Sequence, residues 1–429
     1  MIMKDLYNIF LHNPSICTDS RKVKSGDLFF ALKGENFDGN DYAQKALDSG
    51  AAYAVVDRPF GKDSRFLEVP DVLEALQQLA RQHRQALNVP VLALTGTNGK
   101  TTTKELIATV LSTRFKVCAT QGNLNNHIGV PLTLLRMDRE TEMAVVEMGA
   151  NHPGEIARLA AIAQPDYGLI TNVGKAHLEG FGSLEGVMRT KGALYEAAKV
   201  LFVDADHPLL CGMAAERGAQ KEQHYYGLLY QKGLILPMDE TYPFLRIEIP
   251  GYPLVETQLI GAYNTDNVLA ALAVGAFFGV DPVLAAGAIK AYRPSNNRSQ
   301  RMETAKNVLV VDAYNANPTS MAAALDNFER LMAGNKAVIL GDMLELGADS
   351  EQEHFALGMR LSALQKENKI KEVFLVGPRL GAAARHTPFR CFEDVGALRN
   401  YLSEHPLTGA TVLIKGSRGM RLEQVLELL

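Results

Sequence analysis

Short apolar runs alternate along the chain with stretches of helical periodicity. In residues 1–83, the runs DLFFAL and AAYAVVD are separated by polar turns such as KGENFDGND. That spacing is typical of a small α/β module. The stretch VLEALQQLARQHRQAL then has apolar positions at helical spacing and leads into the compact apolar run VPVLALT.

Residues 84–295 form a second section, in which β-branched runs alternate with helical stretches. AVVEMGA, YGLITNVG and KVLFVDAD are predicted strands, and IARLAAIAQ and VMRTKGALYEAA are predicted helices between them. This order predicts a mainly parallel sheet with helices on both faces. YPFLRIEIPGYPLVETQLIG predicts antiparallel strands added to that core, and GAYNTDNVLAALAVGAFFG predicts a return to helix.

The third section, residues 296–429, repeats the α/β rhythm independently. Its strand candidates are NVLVVDAYN, KAVILGDM, EVFLVG and TVLIKGS, separated by helical segments. They predict a C-terminal Rossmann-like domain of doubly wound type. AYRPSNNRSQ, with a proline and several small polar residues, is the predicted hinge before it. A length of 429 residues fits a division into about three domains.

Composition and charge narrow the classes of function. Apolar content of 47% and charged content of 21% are those of a globular protein, and a net charge of −4 disfavours nucleic acid as the main partner. The four cysteines are far apart and include no C-x-x-C pair, which indicates neither a zinc site nor a disulfide framework. Because no signal-peptide pattern and no run of 18 apolar residues occurs, we expect a cytoplasmic protein without a membrane span.

The stretch VLALTGTNGKTTTKELI, residues 91–107, predicts a phosphate-binding loop of unusual spacing. The usual pattern G-x-x-x-x-G-K-[ST] would place its first glycine at position 94, where this chain has leucine. The loop and the following helix N-terminus would bind phosphate, Lys100 would reach the outer phosphates, and Thr101 would contact Mg²⁺. A Gly-Asn turn with threonine caps is the alternative. The candidate nucleotide-binding residues are Thr95, Gly96, Thr97, Asn98, Gly99, Lys100, Thr101 and Thr102.

TGTNGKTT resembles the ATP loop of the Mur ligases and of the related folylpolyglutamate synthetases. Further segments similar to this family cover nearly the whole chain: DSRKVKSGDLFFALKGENFDG, GNLNNHIGVPLTLL, EMGANHPGEI, ITNVGKAHLEGFGS, KGALYEA, GAYNTDNVLAA, DAYNANPTSM, GDMLELG and KGSRGM. The resemblance implies a UDP-substrate domain (1–83), a central P-loop ATPase domain (84–295) and a domain for the incoming amine (296–429).

Three residues outside the loop are candidates for holding Mg²⁺. Glu147 ends the predicted strand AVVEMGA where the loop lies, and a carboxylate suits Mg²⁺ there, although a solvated glutamate is the alternative. The resemblance implies that His177 is a second ligand. From the residues alone, Lys191 is an exposed helical lysine without an evident task. The resemblance implies that Lys191 is carbamylated and, like His177 and Lys100, takes part in catalysis.

Four further residues are candidates for the nucleotide site. Asn264 and Asn267 are three apart on one face of a helix start. An asparagine-rich cap would explain them, whereas the resemblance implies a position near the adenine. Arg301 directly follows the hinge segment, which contains Arg298, and matches the family arginine that contacts phosphate on domain closure and serves catalysis. The resemblance implies that Asp312, after NVLVV, contacts the ATP ribose.

The UDP-linked substrate has two candidate segments. Ser20 and Arg21 match the UDP-binding region of the family, which usually has histidine where this chain has Asn40. The resemblance also implies that a second segment holds the UDP-sugar between the first two domains. Its residues are Asn125, Asn126 and His127.

The segment KGSRG follows the last predicted strand and is a candidate site for the incoming substrate. Lys415 and Arg418 carry charges that suit an anionic carboxylate or a peptide terminus, and Ser417 lies between them. A solvated basic turn is the alternative.

Together these segments imply an ATP-dependent ligase of peptidoglycan precursor synthesis. DAYNANP with GDMLELG is most similar to the members that add D-alanyl-D-alanine to UDP-N-acetylmuramoyl-tripeptide through an acyl phosphate, and we expect a monomer that uses ATP and Mg²⁺. The alternatives are a sibling adding a single amino acid, a folate-polyglutamylating relative, and a protein that binds ATP without ligation. The DSR and DGND segments disfavour the folate enzyme, and GDMLELG disfavours the single-residue ligases.

Overall fold

The computed structural model describes residues 3–175, 178–238, 242–295, 297–331, 333–385 and 387–429, which form three α/β units in chain order. The elements of the first unit are α1 (Met3–His12), β1 (Ile16–Cys17), β2 (Leu28–Phe30), β3 (Lys33–Gly34), β4 (Phe37–Asp38), α2 (Ala43–Asp48), β5 (Tyr53–Val56), β6 (Phe66–Glu68) and α3 (Val72–Leu87). The parallel sheet has the order β1-β2-β5-β6, and β3 and β4 form an antiparallel hairpin.

The second unit is built on a parallel sheet. Its elements are β7 (Val91–Thr95), α4 (Lys100–Leu111), β8 (Val117–Ala119), α5 (Gly129–Leu134), β9 (Met143–Glu147), α6 (Glu155–Ala163), β10 (Tyr167–Ile170), α7 (Leu178–Phe181), α8 (Leu184–Ala197), β11 (Val200–Asp204), α9 (Pro208–Arg217), β12 (Glu222–Tyr226), β13 (Leu234–Ile235), β14 (Arg246–Glu248), β15 (Val255–Glu256), α10 (Thr265–Phe277) and α11 (Pro282–Ala291). The order is β12-β11-β10-β7-β9-β8, and β13, β14 and β15 form the predicted antiparallel addition. Central β7 and β9 are buried at every position, as helices on both faces require.

The third unit is a doubly wound sheet with one antiparallel edge. Its elements are β16 (Gln300–Glu303), β17 (Val308–Asp312), α12 (Pro318–Arg330), β18 (Lys336–Gly341), α13 (Ser350–Lys366), β19 (Glu372–Val376), α14 (Pro378–Ala383), β20 (Arg390–Phe392), α15 (Val395–Glu404) and β21 (Thr411–Lys415). The order is β16-β17-β21-β18-β19-β20. The predicted hinge segment ends at the first residue of β16, the edge strand that pairs antiparallel with β17.

The first unit shares a hydrophobic core with the second through α3. The Asp71 carboxylate accepts the N–H of Glu74 at 2.7 Å and caps the start of this helix. Leu76 and Leu79 are fully buried in the same cluster as Leu134 of α5. The helix predicted from VLEALQQLARQHRQAL is thus confirmed, and its apolar face joins two units.

The long apolar runs predicted as strands are confirmed, whereas the short edge strands were not predicted. β8 and β20 have three residues each, and β12 reads EQHYY, which carries no apolar period. Edge strands are buried on fewer sides and need fewer apolar residues. Within the described ranges, none of the helices has the length and apolar character needed to cross a membrane.

Candidate active site

The carboxyl ends of β7, β9 and β10 open into a cleft of about 740 Å³ between the second and third units. Because β7 lies between β9 and β10, the segments that follow these strands meet at one edge of the sheet. Residues 97–100 and Thr102 line the cleft from the second unit, and Asp312 and Lys415 line it from the third. Thr95 is buried at the end of β7.

Two glycines shape the loop after β7. Gly96 has φ +154°, and a Cβ atom there would lie 1.8 Å from Thr171 Oγ1. Gly99 has φ +79°, and its Cβ would lie 2.4 Å from Asn267 Oδ1. Both separations are much shorter than a van der Waals contact, so only glycine fits. Each of these two glycines is therefore required by a close neighbouring side chain.

The segment after β10 braces the loop. The N–H groups of Thr97 and Asn98 donate to the main-chain and side-chain oxygens of Asn172, at 3.0 and 2.9 Å. The Thr171 hydroxyl and the Asn172 amide in turn donate to the Asn98 carbonyl, at 2.6 and 3.1 Å. Asn172 was not among the predicted site residues, although a polar residue directly after a predicted parallel strand is a usable signal.

Two lysines converge on the Gly96 carbonyl. Lys100 Nζ donates to it at 2.8 Å and to the Thr97 carbonyl at 3.1 Å, and Lys191 Nζ donates to it at 2.9 Å. Burial lowers the pKa of Lys100 to about 8, while Glu147 opposes this shift and Arg298 adds to it. Burial, followed by the charge of Lys100, lowers the pKa of Lys191 well below its usual value.

The prediction that Lys191 is an exposed lysine is wrong. Its side chain lies in the interior, with only 3% of the residue exposed, and its Nζ faces the underside of the loop. The physical reason is that α8 packs against β7 and β10, so this face of the helix points into the sheet edge. A buried amine of lowered pKa is a nucleophile, as carbamylation requires.

Glu147 is a buried carboxylate, and one of its two oxygens accepts no hydrogen bond within the described residues. The residue is 1% exposed, so the alternative of a solvated glutamate is wrong. Its Oε1 accepts from Asn125 Nδ2 at 2.7 Å and from Thr101 Oγ1 at 3.3 Å. Its Oε2 is buried and accepts no hydrogen bond within the described residues, and Lys104 Nζ is 4.0 Å away. A buried orphan oxygen beside a threonine hydroxyl fits a hard cation such as Mg²⁺.

Asn264 and Asn267 hold the helix of the loop against α10. Asn264 Nδ2 donates to the Ile260 carbonyl at 2.8 Å, and Asn267 Nδ2 donates to Asn264 Oδ1 at 2.9 Å. Asn267 Oδ1 accepts from the Thr103 hydroxyl at 2.9 Å. Both asparagines are buried and line the cleft, so they are more than a helix cap.

In the third unit, Lys415 is already paired. The lysine is 1% exposed, and its Nζ forms an ion pair with Asp312 and donates to the Asn315 carbonyl. The alternative of a solvated basic turn is therefore wrong for Lys415. Ser417 is buried too, and its Oγ accepts the Leu344 N–H at 2.8 Å. Ser417 and Arg418 do not line the cleft in the part of the chain described.

Three family models match the chain in order. Residues 14–84 match "Mur ligase family, catalytic domain", residues 94–275 match "Mur ligase middle domain", and residues 297–418 match "Mur ligase, glutamate ligase domain". The chain belongs to the Mur ligase family. The predicted three-domain α/β fold, with its P-loop and Rossmann-like domains, is thereby confirmed, while the limits at residues 83 and 295 stay predictions.

Curated and solved Mur ligases are similar over almost their full length. The chain is 37% identical to UDP-N-acetylmuramoyl-tripeptide–D-alanyl-D-alanine ligase of Bacillus subtilis, over 96% of this chain and 92% of that protein. The crystal structure of MurF from Acinetobacter baumannii has a TM-score of 0.85 at 32% identity, covering 96% and 92% of the two chains. MurF ligase from Thermotoga maritima in complex with ADP has a TM-score of 0.83 at 28% identity, covering 97% of each.

Not every residue assigned by the Mur ligase resemblance comes to the cleft. Arg301 lies on β16, forms an ion pair with Glu303, and is absent from the described lining of the cleft. Arg298, three residues earlier, does line it. The resemblance assigned Arg301, in strand β16, to the nucleotide site, whereas Arg298 of the hinge is the arginine that lines the cleft.

The candidates for the UDP-linked substrate fall into two places. Asn125 and His127 line the cleft, as does Asn126, whose Oδ1 accepts the N–H groups of residues 128 and 129 just before and at the start of α5. Ser20 and Arg21 lie outside the described lining, and Arg21 pairs with Asp19.

Asn40 has a structural role in this chain. The residue is fully buried, its Nδ2 donates to the carboxylates of Asp38 and Asp57, and its Oδ1 accepts the Asp57 N–H. All its polar groups are therefore used within the first unit. This agrees with the departure from the histidine that the Mur ligases usually have at this position.

The third unit touches the loop directly. Asn317 Nδ2 donates to Asn98 Oδ1 at 2.8 Å, while Asn317 also caps α12 through the Ser320 N–H. Lys175 Nζ and Glu353 Oε1 form a 3.1 Å ion pair between the same units. Asn317 belongs to the DAYNANP motif but was not among the predicted site residues. His177, the implied second metal ligand, lies outside the described residues.

Proposed function

We propose that this protein is an ATP-dependent ligase that joins D-alanyl-D-alanine to UDP-N-acetylmuramoyl-tripeptide in cytoplasmic peptidoglycan precursor synthesis. The observation that carries the proposal is the glycine loop with Lys100 and Glu147 at the floor of a cleft whose other wall is a separate unit. The match of 37% identity to the Bacillus subtilis ligase, over 96% of this chain, supports the choice of substrates.

Such a ligase must turn a poor leaving group, a carboxylate oxygen, into a good one. The γ-phosphate of ATP passes to the substrate carboxylate and gives an acyl phosphate and ADP. The incoming amine then attacks the acyl carbon, loses a proton, and displaces phosphate. Two anions must meet in the first step, so the site has to supply positive charge and positioning. Lys100, held at the loop, would supply part of that charge.

The donors around Glu147 fit Mg²⁺. Glu147 and Thr101 would hold the ion, and the resemblance adds His177 and a carbamylated Lys191. Bound there, Mg²⁺ would neutralise charge on the phosphates during transfer. The chain's own residues keep this donor set in place, because Asn125 Nδ2 fixes Glu147 Oε1 at 2.7 Å and the Thr120 hydroxyl accepts the Glu147 N–H at 3.0 Å.

The third unit is proposed to bring the dipeptide to the acyl phosphate. The GDMLELG and KGSRGM motifs meet at the carboxyl ends of β18 and β21, where the Leu344 N–H donates to Ser417 Oγ at 2.8 Å. Contacts such as Asn98–Asn317 tie this unit to the ATP loop. Water excluded between the two units would otherwise hydrolyse the acyl phosphate. We propose that the ligase acts as a monomer, since the cleft lies within one chain.

The deciding experiment measures phosphate release from ATP with UDP-N-acetylmuramoyl-tripeptide, with and without D-alanyl-D-alanine. We expect release that requires the dipeptide, together with an equal amount of the pentapeptide product. Release that depends on a free amino acid would move the assignment to a sibling ligase. Release that requires a folate and glutamate would move it to the folate relatives. ATP binding without release for any pair would leave a nucleotide-binding protein.

The lowered pKa of Lys100 predicts that ATP binding weakens in alkaline solution. The free protein loses the Lys100 charge as the pH rises through about 8, and an uncharged amine no longer attracts phosphate. We expect the ATP dissociation constant to rise about tenfold between pH 7 and pH 9, as one required protonation dictates. Titration calorimetry would measure it. Lys100→Arg is the control, because a guanidinium stays charged over this range and should flatten the profile; an equally steep profile would contradict the assignment.

A further inference from the structure

Arg298 has a setting unlike the other arginines of the hinge. It lines the cleft, and its guanidinium carbon lies 3.6 Å from the centroid of the Tyr314 ring. That separation is a close stacking contact, which holds the planar group flat against the ring. Arg418 approaches the same ring at 5.3 Å, and its Nη1 donates to the Tyr314 hydroxyl at 3.4 Å. Tyr314 is therefore fixed in position.

Among the described residues, Arg298 has no acidic side chain as a partner. In the part of the chain described, Arg298 forms no ion pair with an acidic side chain, and its Nε is buried without a hydrogen-bond acceptor. The neighbouring cations differ, since Arg301 pairs with Glu303 and Lys415 pairs with Asp312. A permanent cation that lines a cleft without an acidic partner favours an anionic ligand.

Arg298 also faces the same space as Lys100. Both side chains line the same cleft. The electrostatic repulsion between two cations across a cleft is reduced when a polyanion binds between them. The phosphate chain of a nucleotide is such an anion, and a guanidinium edge can bind two of its oxygens at once.

We infer that Arg298, stacked on Tyr314, binds the phosphate chain of the nucleotide opposite Lys100. The inference rests on the proposed ATP-dependent function and adds to it a binding residue that the Mur ligase motifs do not assign. Tyr314 acts as a positioning residue, because it holds the guanidinium plane and leaves the N–H edge free for oxygen atoms. Arg301 is paired with Glu303 and is absent from the described lining of the cleft.

The test is the binding of ATP, ADP and AMP to Arg298→Gln, Arg298→Lys and the wild-type protein, by titration calorimetry. Losing charge-assisted hydrogen bonds to phosphate should weaken ATP binding about 10- to 100-fold in Arg298→Gln. AMP binding should change much less, since fewer phosphates are present. Arg298→Lys should recover part of the loss, because charge returns without the planar fork. Arg293→Gln is the matched control, an exposed arginine of the same hinge that does not line the described cleft.

Turnover separates binding from a merely structural effect. We expect Arg298→Gln to raise the KM for ATP by a similar factor, with kcat and the KM for the UDP-linked substrate within about threefold, and with an unchanged midpoint of thermal unfolding. Tyr314→Phe keeps the ring and should bind ATP like the wild type, whereas Tyr314→Leu should share part of the Arg298→Gln defect.

Two results would overturn the inference. ATP affinity within about twofold of wild type in Arg298→Gln would show that the residue does not bind phosphate. An equal loss for AMP and ATP would assign Arg298 to the nucleoside or its α-phosphate instead of the phosphate chain. Failure of the wild-type protein to bind any of the three nucleotides would instead refute the proposed function itself, so the two failures are distinguishable.

Discussion

Glu147→Gln is expected to lower the rate of ligation about 1,000-fold, because it removes the charge of the buried oxygen that fits Mg²⁺. The amide keeps the size of the side chain and can still accept from Asn125 and Thr101 through Oε1. The loss should therefore be chemical and not structural. Formation of the amide product and release of phosphate, both at saturating substrates, would measure it.

The stability of Glu147→Gln provides the internal check. Burial of the carboxylate is costly, but Glu147 Oε2 also lies 4.0 Å from the buried cation of Lys104, so these two effects oppose each other and a neutral side chain should change the midpoint of thermal unfolding only slightly. Glu140→Gln makes the same change of charge at an exposed position of the same unit and should ligate at the wild-type rate. Ligation by Glu147→Gln within tenfold of wild type would rule out the assigned role of Glu147.

Gly99→Ala is expected to reduce ligation at least about 100-fold, since misplacement of a catalytic loop by about 1 Å has effects of that size. Its Cβ would lie 2.4 Å from Asn267 Oδ1. Asn267 must then move, and with it the hydrogen bonds to Asn264 and to the Thr103 hydroxyl. The loop would no longer present its N–H groups and Lys100 in the same place.

Gly154→Ala is a closely matched control for Gly99→Ala. Both glycines precede a helix, with φ/ψ of 79°/−10° at Gly99 and 81°/−10° at Gly154. Both variants should therefore lose about 1–2 kcal/mol of stability from left-handed backbone strain. A Cβ at Gly154 meets nothing within 4 Å, so only Gly99→Ala should lose ligation. Equal activity of the two variants would mean that the contact with Asn267 does not set the geometry of the loop.

Local sequence patterns were sufficient to predict most of the fold and the phosphate-binding loop. Strands such as VLALT and MAVVE are continuous apolar runs that only a covered parallel sheet can bury, so the sequence identifies them directly. The glycines and Lys100 are also local, because a loop between a strand and a helix is contiguous in the chain. Short edge strands such as Glu222–Tyr226 were not predicted, since little of their surface needs to be apolar.

The order of apolar and polar residues was sufficient to predict the α/β class, the division into three sections, the phosphate loop and the acidic residue at the end of β9. Three features could be seen only in the folded protein: Lys191 is buried beneath the loop, Lys415 forms an ion pair with Asp312, and Arg298 lines the cleft while Arg301 does not. The physical reason is that burial and charge pairing depend on neighbours far apart in the chain. Lys191 meets Gly96, 95 residues away, only because α8 packs on the sheet that carries the loop.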